Sequence, residues 1–538
     1  MNFDEKNQLD LPALINAYYN LKPDPYQLEQ QIVFGTSGHR GSSLNRSFNE
    51  THILAIVTAI CEWRQLSNIN GPLFLGADTH ALSEPCFKTA LEVLIFHKVS
   101  VKVDKEFDAT PTPVISHAIL THNHKYEKNL ADGLIITPSH NPPEEGGIKY
   151  NSTHGGPAEQ TITNWIQKRA NELLLNPSLY DNRVSFDKAL SSSYISLYDY
   201  KNEYVNDLDS ILDMELIKRS PLKVAVDPLG GAGVNYWPLI AEKYHLNLTI
   251  TNQKIDKTFS FMPPDWDGKI RMDPSSKEAM KDVINQTRFY DLILACDTDH
   301  DRHGIITKTQ GLIPSNQYLS SCIFYLLSNR PLWGKNIKIG KTMVSSSMID
   351  IISCGFHKQV YETAVGFKWF SQGLKTAELG FAGEESAGSS FLKKDGSCWS
   401  TDKDGIIAAL LAVEMSTYFG KDPSEIYSDI EAKYGAVFYR RKDSPLNKTQ
   451  KEKLKKLSKE TVTVSELAGD PVTCIQDTAP GDNIPLGGLK IKTKNGWVAV
   501  RPSGTEEICK LYAESSKSEA HLELILNDSQ SMLKKMIE

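Results

Sequence analysis

Short apolar runs recur along this chain. Each is followed by a loop rich in Gly, Pro, Ser or Asp and then by an amphipathic stretch. Residues 73–75, 99–103, 134–136, 222–226, 292–295, 337–339 and 498–500 are such runs. Strands that alternate with helical patterns need crossover connections, so the pattern predicts an α/β chain with parallel or mixed sheets. At about 100–200 residues per domain, 538 residues predict about three to five domains. No short solenoid-type repeat is present.

Turn-rich and polar stretches mark the expected boundaries. Residues 176–193 are mostly polar and precede a segment, 194–212, that reads as helical. Pro221 opens a new strand, and 310–317 is a turn cluster. Residues 438–447, with Arg440, Arg441, Lys442 and Pro445, read as a linker. These breaks predict four segments, 1–205, 206–311, 312–437 and 438–538. The basic run 451–459 has Leu454 and Leu457 three apart and reads as the solvated face of a helix.

Composition excludes several classes. Hydrophobic residues are 40% and charged residues 23%, an ordinary globular balance that excludes wholesale disorder. A net charge of −7, without a basic stripe, argues against a dedicated nucleic-acid binder. The longest apolar run, 406–413, is far below the roughly 18 residues of a membrane span. The first 25 residues carry Asp4, Glu5, Asp10 and Asp24 and no basic start with an apolar core, so no signal peptide is expected. Eight cysteines form no C-x-x-C pair, as expected for reduced thiols in a cytoplasmic protein.

Five loops carry residues suited to chemistry. In Thr137-Pro138-Ser139-His140-Asn141-Pro142-Pro143, a serine between prolines at a strand end is either a turn residue or an exposed, fixed nucleophile, with His140 beside it to move a proton. In Asp297-Thr298-Asp299-His300-Asp301-Arg302, three carboxylates at alternate positions suit one hard cation. An EF-hand is excluded, because Arg302 stands where that loop needs Gly and Lys308 where it needs Glu. Such close like charges repel unless something positive sits among them, and open ligand positions suit phosphate oxygen. Arg501-Pro502-Ser503-Gly504-Thr505 is a plain turn or an anion nest with a guanidinium fork. Gly383-Glu384-Glu385-Ser386 is a surface turn or a set of partners for sugar hydroxyls. Phe34-Gly35-Thr36-Ser37-Gly38-His39-Arg40 is a bland loop or the lining of an anionic pocket.

Three features are set aside. Gly340-Lys341-Thr342 lacks the earlier Gly of a P-loop, since position 335 is Lys335. Gly231-Ala232-Gly233 lacks the third dinucleotide-binding Gly, since position 236 is Tyr236. His122 and His124 read as a polar loop.

Taken together and in this order, the motifs at 34–40, 137–143, 297–302, 383–386 and 501–505 resemble the signature loops of the α-D-phosphohexomutases, and within them the bacterial glucose-directed branch. The resemblance covers about residues 30 to 515. It implies four domains around a central cleft, three related α/β units and a smaller C-terminal α+β domain. It implies interconversion of glucose 1-phosphate and glucose 6-phosphate through a phosphoserine enzyme, with glucose 1,6-bisphosphate as intermediate and activator. Ser139 matches the phosphorylated serine, and Asp297, Asp299 and Asp301 match the Mg2+ ligands together with the serine oxygen. Glu384 and Ser386 match sugar contacts; Arg501, Ser503, Gly504 and Thr505 match the distal phosphate loop. Arg40, Arg302 and the stretch Thr363-Ala364-Val365-Gly366-Phe367-Lys368 match further cleft residues, with His140 and Lys368 both open as the general base.

Two departures stand out: His300 replaces a common Gly or Ala at a non-ligand position, and Pro142-Pro143 replaces Pro-Gly. The alternatives are phosphomannomutase or phosphoglucosamine mutase specificity, a non-catalytic sugar-phosphate binder, or a metal-dependent phosphatase. The expected partners are small hexose phosphates, with no nucleic acid or membrane, and the expected state is a monomer or homodimer.

Overall fold

Four sheets follow one another along the chain. The computed structural model describes residues 9–537 except 36–37, 482 and 503–507, and omits the side chain of Lys448. In the first sheet the order is His39–Ser42, Glu145–Asn151, Asp132–Ile136, Leu73–Ala77, Val101–Asp104 and Ile195–Tyr198. Leu73–Ala77 runs parallel to Val101–Asp104 and Asp132–Ile136, which then turns back into the antiparallel Glu145–Asn151.

The next two sheets repeat this arrangement. In the second, Val224–Asp227 runs parallel to Leu248–Ile250 and Leu292–Cys296, and Leu292–Cys296 turns back into His303–Thr307. In the third, Lys338–Thr342 runs parallel to Val360–Thr363 and Leu379–Glu384, and Leu379–Glu384 turns back into Gly388–Phe391. The loops with Ser139, with the three aspartates and with Ser386 therefore occupy one equivalent place. Each leaves the C-terminal end of a parallel strand, where α/β sheets present their ligands.

The fourth sheet is antiparallel throughout, with the long helix Glu519–Ile537 against it. The α/β class and the three-plus-one arrangement are both present. The first three units share apolar packing, since one cluster runs from Phe74 through Trp237 and Leu326 to Val437. At its centre lies the helix Gly405–Phe419, buried on all sides over most of its length. Asp404 caps it, accepting from Ile406 N and Ile407 N, and also receives Tyr204 Oη and Trp399 Nε1, each at 2.8 Å.

Four readings of local structure are corrected. Residues 438–447 are not a linker: Phe438–Pro445 is the edge strand of the fourth sheet, paired with Ile508–Ser515. Its exposed charges are those of a protected edge, which in sequence look like a polar connection. The segment 194–212 opens with an edge strand, Ile195–Tyr198, before the helix Tyr200–Asp207. His122 and His124 lie in the last turn of the helix Thr112–Lys125, not in a loop. The turn cluster 310–317 holds the short strand Gly311–Leu312 and the start of the helix Ser315–Asn329. The basic run 451–459 is helical only as far as Lys455, within the helix Lys448–Lys455, with Leu454 buried; Leu457 lies beyond the helix end. All eight cysteines are free. Among the described residues no helix is long and apolar enough to cross a membrane.

Candidate active site

Ser139 stands in the left-handed region, at φ 60°, and is buried. A β-carbon makes that conformation costly, by about 1–2 kcal/mol, so the surroundings must hold it. They do so at two points. The Ser139 amide donates to Thr137 Oγ1 at 2.8 Å, and Thr298 Oγ1 donates to the Ser139 carbonyl. The hydroxyl is thereby aimed at the second sheet, and Ser139 Oγ donates to Asp297 Oδ2 at 2.7 Å. His140 Nδ1 lies 3.4 Å from the same oxygen. Burial, with the charges of Arg302 and Arg40, holds the His140 imidazole well below its usual range, so it is neutral near pH 7.

Asp297, Asp299 and Asp301 are buried, and they offer carboxylate oxygens within 4.8 Å of one another. Among the described residues, Asp299 Oδ1 and Asp301 Oδ1 have no hydrogen-bond partner. Three converging hard oxygens with unsatisfied acceptors fit a divalent cation of the magnesium type. Burial and the charges of Asp299 and Asp301 push the Asp297 carboxyl well above the carboxylate range. Burial also works against Asp301, but Lys149, Lys403 and Arg302 outweigh it and hold that carboxyl well below its ordinary value.

Lys149 and Lys403 escaped the motif reading. Lys149 Nζ is 2.6 Å from Asp299 Oδ2 and 3.0 Å from Asp301 Oδ2; Lys403 Nζ is 3.0 Å from Asp301 Oδ2. Lys149 belongs to Glu145–Asn151, the strand that returns from the serine loop. Its role depends on that return, so only recognising the hairpin in sequence could have flagged it.

The other expected residues divide into those brought in and those left apart. The pairing of Arg40 with Gly147 sets Arg40 beside the serine loop, where Nη1 donates to Asn141 Oδ1 at 3.0 Å. Arg302 follows the triad, and its amide donates to Asp297 Oδ1 at 2.9 Å. Glu384 is buried at its strand end and accepts from Gly366 N at 3.0 Å, which joins the expected sugar-contact loop to the 363–368 cleft stretch. Thr363 is buried, and its hydroxyl turns to the Ala364 carbonyl at 2.9 Å. Ser386 is half-buried. Ala387 O receives His303 N at 3.0 Å, linking the Ser386 loop to the strand after the triad.

Lys368 lines one cleft with Lys149, Asp301 and Asp402, and burial lowers its amine. Its Nζ lies 3.5 Å from Gln160 Oε1, so it is less closely engaged than Lys149. Arg501 sits on Gly496–Pro502 opposite Lys510. Ser503, Gly504 and Thr505 lie outside the described residues, as do Thr36 and Ser37, so the fourth loop contributes only Arg501 and Pro502 to this geometry.

Models of one family match all four units. Phosphoglucomutase/phosphomannomutase α/β/α domains I, II and III match residues 31–176, 202–311 and 314–434, and the C-terminal domain of that family matches 448–528. The chain belongs to the phosphoglucomutase/phosphomannomutase family. A phosphoglucomutase of Komagataeibacter xylinus is 48% identical over 530 residues, spanning 98% of this chain and 96% of that protein. The open form of parafusin, a phosphoglucomutase from Paramecium, superposes with a TM-score of 0.72 at 19% identity, over 95% of each chain. An Aspergillus fumigatus N-acetylphosphoglucosamine mutase, solved with GlcNAc-6P and magnesium, gives a TM-score of 0.56 at 13% identity over 98% and 99% of the two chains. At such identities the two structures speak for the fold. The match to the family's C-terminal domain begins after Phe438–Pro445, yet that strand completes its sheet.

Proposed function

We propose that this phosphoglucomutase/phosphomannomutase family member interconverts glucose 1-phosphate and glucose 6-phosphate through a phosphoryl group carried on Ser139. The observation that carries the reading is the approach of Ser139 Oγ to Asp297, which joins a nucleophile to a cation site. The 48% identity to a phosphoglucomutase favours glucose over mannose or glucosamine.

Asp297, Asp299 and Asp301 would hold Mg2+. When bound, it would neutralise charge on the transferring phosphoryl group and on the serine oxygen as that oxygen leaves. Ser139, phosphorylated, presents the group to the free hydroxyl of the substrate. The Oγ–P bond breaks, the O6–P bond forms, and glucose 1,6-bisphosphate results. His140, neutral beside Ser139 Oγ, takes the hydroxyl proton and returns it to Ser139 Oγ as that oxygen leaves, and Lys368 is the second candidate for the base. Lys149, Arg40 and Arg302 supply positive charge around the serine loop. Glu384 and Ser386 accept the sugar hydroxyls, and the loop of Arg501, Ser503, Gly504 and Thr505 holds the non-reacting phosphate. Turned about within the cleft, the bisphosphate returns its 1-phosphate to Ser139 and leaves as glucose 6-phosphate.

Segments 1–205, 206–311, 312–437 and 438–538 are the four working units of this reading, and the protein acts in the cytoplasm on small hexose phosphates. The test is a coupled assay for glucose 6-phosphate formed from glucose 1-phosphate, with Mg2+ and a trace of glucose 1,6-bisphosphate. Mannose 1-phosphate and glucosamine 1-phosphate are run beside it. Turnover preferring glucose supports the assignment; preference for either other sugar, or release of free phosphate alone, overturns it.

A further inference from the structure

Behind the serine loop lies a buried charged pair that the mechanism above does not use. Asp78 follows the strand Leu73–Ala77, and its amide donates to Ile136 O at 2.9 Å. The side chains of Asp78 and His80 are both fully enclosed. His80 Nδ1 is 2.8 Å from Asp78 Oδ2, and His80 Nε2 is 3.0 Å from the Asn141 carbonyl oxygen. Both partners only accept. A neutral imidazole has one N–H, so it would set one nitrogen lone pair against an oxygen lone pair in the interior. Two acceptors at hydrogen-bond distance call for two donors, and the ring is an imidazolium neutralised by Asp78. The electrostatics agree in direction. Burial alone would lower the His80 imidazole and raise the Asp78 carboxyl, but their mutual attraction reverses both.

The pair grips the serine loop on both sides. Asp78 Oδ2 accepts from Thr137 Oγ1 at 2.6 Å, and that hydroxyl accepts in turn from Ser139 N at 2.8 Å. His80 holds the other side at Asn141. Between them, Thr79 Oγ1 donates to Gly230 O at 2.8 Å, and nearby Ala232 N donates to Thr298 O at 2.7 Å. The turn that carries the pair is thus anchored to the second sheet, whose loop receives Ser139 Oγ. A serine held at φ 60° needs restraints of this kind.

We propose that Asp78 and His80 are a positioning couple for the phosphoryl-carrying serine, a buried carboxylate–imidazolium clamp that keeps Ser139 Oγ facing Asp297. The proposal rests on the reading of Ser139 as that carrier. Neither residue touches the reacting atoms.

Two measurements test it. In the first, His80→Gln, Thr137→Val and the double variant are compared in the coupled assay. A misplaced nucleophile lowers kcat by at least about 30-fold with KM for glucose 1-phosphate within about twofold. The double variant loses little more than the worse single one, because both act on one loop. In the second, nitrogen NMR of the unsubstituted protein labelled at histidine reads the His80 ring, identified by its contact with Phe259, whose ring centroid is 5.0 Å away. Two protonated ring nitrogens at pH 8 support the clamp. A neutral ring, a raised KM with intact kcat, or losses that multiply would overturn it. An unsubstituted protein without mutase activity sinks the functional reading instead, and the NMR result then judges the clamp by itself.

Discussion

Ser139 Oγ and Asp297 Oδ2 are 2.7 Å apart although 158 residues separate them in sequence. The contact exists because two related sheets each end a parallel strand at the same place. The serine leaves the first sheet and the aspartates leave the second. A hydroxyl that shares a hydrogen bond with a prospective cation ligand is one step from sharing the cation.

That geometry predicts dependence on a divalent cation. Chelation should abolish turnover, and Mg2+ should restore it. Asp299→Asn should weaken Mg2+ binding on the order of 100-fold, since it removes one of three charged ligands. In a thermal melt, Mg2+ should raise the midpoint of the unsubstituted protein by mass action and leave that of Asp299→Asn unmoved. Equal shifts in both would place the cation elsewhere.

Lys149 puts a cation on two of those carboxylates. Lys149→Met should therefore separate binding from turnover. Mg2+ should bind at least about threefold more tightly, because a like charge has gone. Turnover should fall about 100-fold, because positive charge beside the transferring group has also gone. Calorimetric titration and the coupled assay read the two effects independently.

Acid should weaken the first domain. Burial lowers His39 from 6.5 to about 4 and His52 from 6.5 to about 3. His52 Nδ1 accepts from Asn49 N at 3.0 Å, and Nε2 donates to Gln30 O at 2.8 Å, an arrangement that requires the neutral ring. Both native values are depressed, so stability is full above pH 6.5 and is lost as pH falls toward about 4. By pH 5 each histidine should cost on the order of 2 kcal/mol. His52→Gln should make the fall of the melting midpoint between pH 7 and pH 5 shallower, and an unchanged slope would contradict the assignment.

The fourth domain docks through a buried charge cluster. Glu362 on the third sheet lies 3.1 Å from Lys490 on the fourth, with Lys341 at 3.5 Å and Lys492 at 3.6 Å. Removing Glu362 leaves the buried Lys490 without its anion, at about 3–5 kcal/mol, while Lys341 keeps its pair with Asp350. Glu362→Ala should lower the calorimetric transition of the C-terminal domain, while the Mg2+-dependent shift of the first three survives.

The extent to which this site was legible in sequence follows from distance along the chain. The aspartate triad lies within one six-residue loop, so its spacing alone announced a cation site. The serine turn and the alternation that set the α/β class are just as local. Lys149, Lys403, Asp78 and His80 are different: each is ordinary in its own neighbourhood and acquires a role only when strands return or sheets meet. The edge strand Phe438–Pro445 was misread for the reverse reason, since edge protection uses the same charges and proline that mark a connecting loop. His122 and His124 were misread because a helix end carries polar residues as a loop does.

The central claim is that Ser139 carries the phosphoryl group, and peptide mapping tests it most directly. The protein is incubated with Mg2+ and glucose 1,6-bisphosphate, digested and analysed by mass spectrometry, with Ser139→Ala alongside. The account predicts one phosphoryl group on the peptide containing Ser139, lost when glucose 6-phosphate is added, and none in the variant, whose turnover falls by at least about 10⁴-fold. A phosphoryl group on another residue, or full turnover by Ser139→Ala, would contradict it.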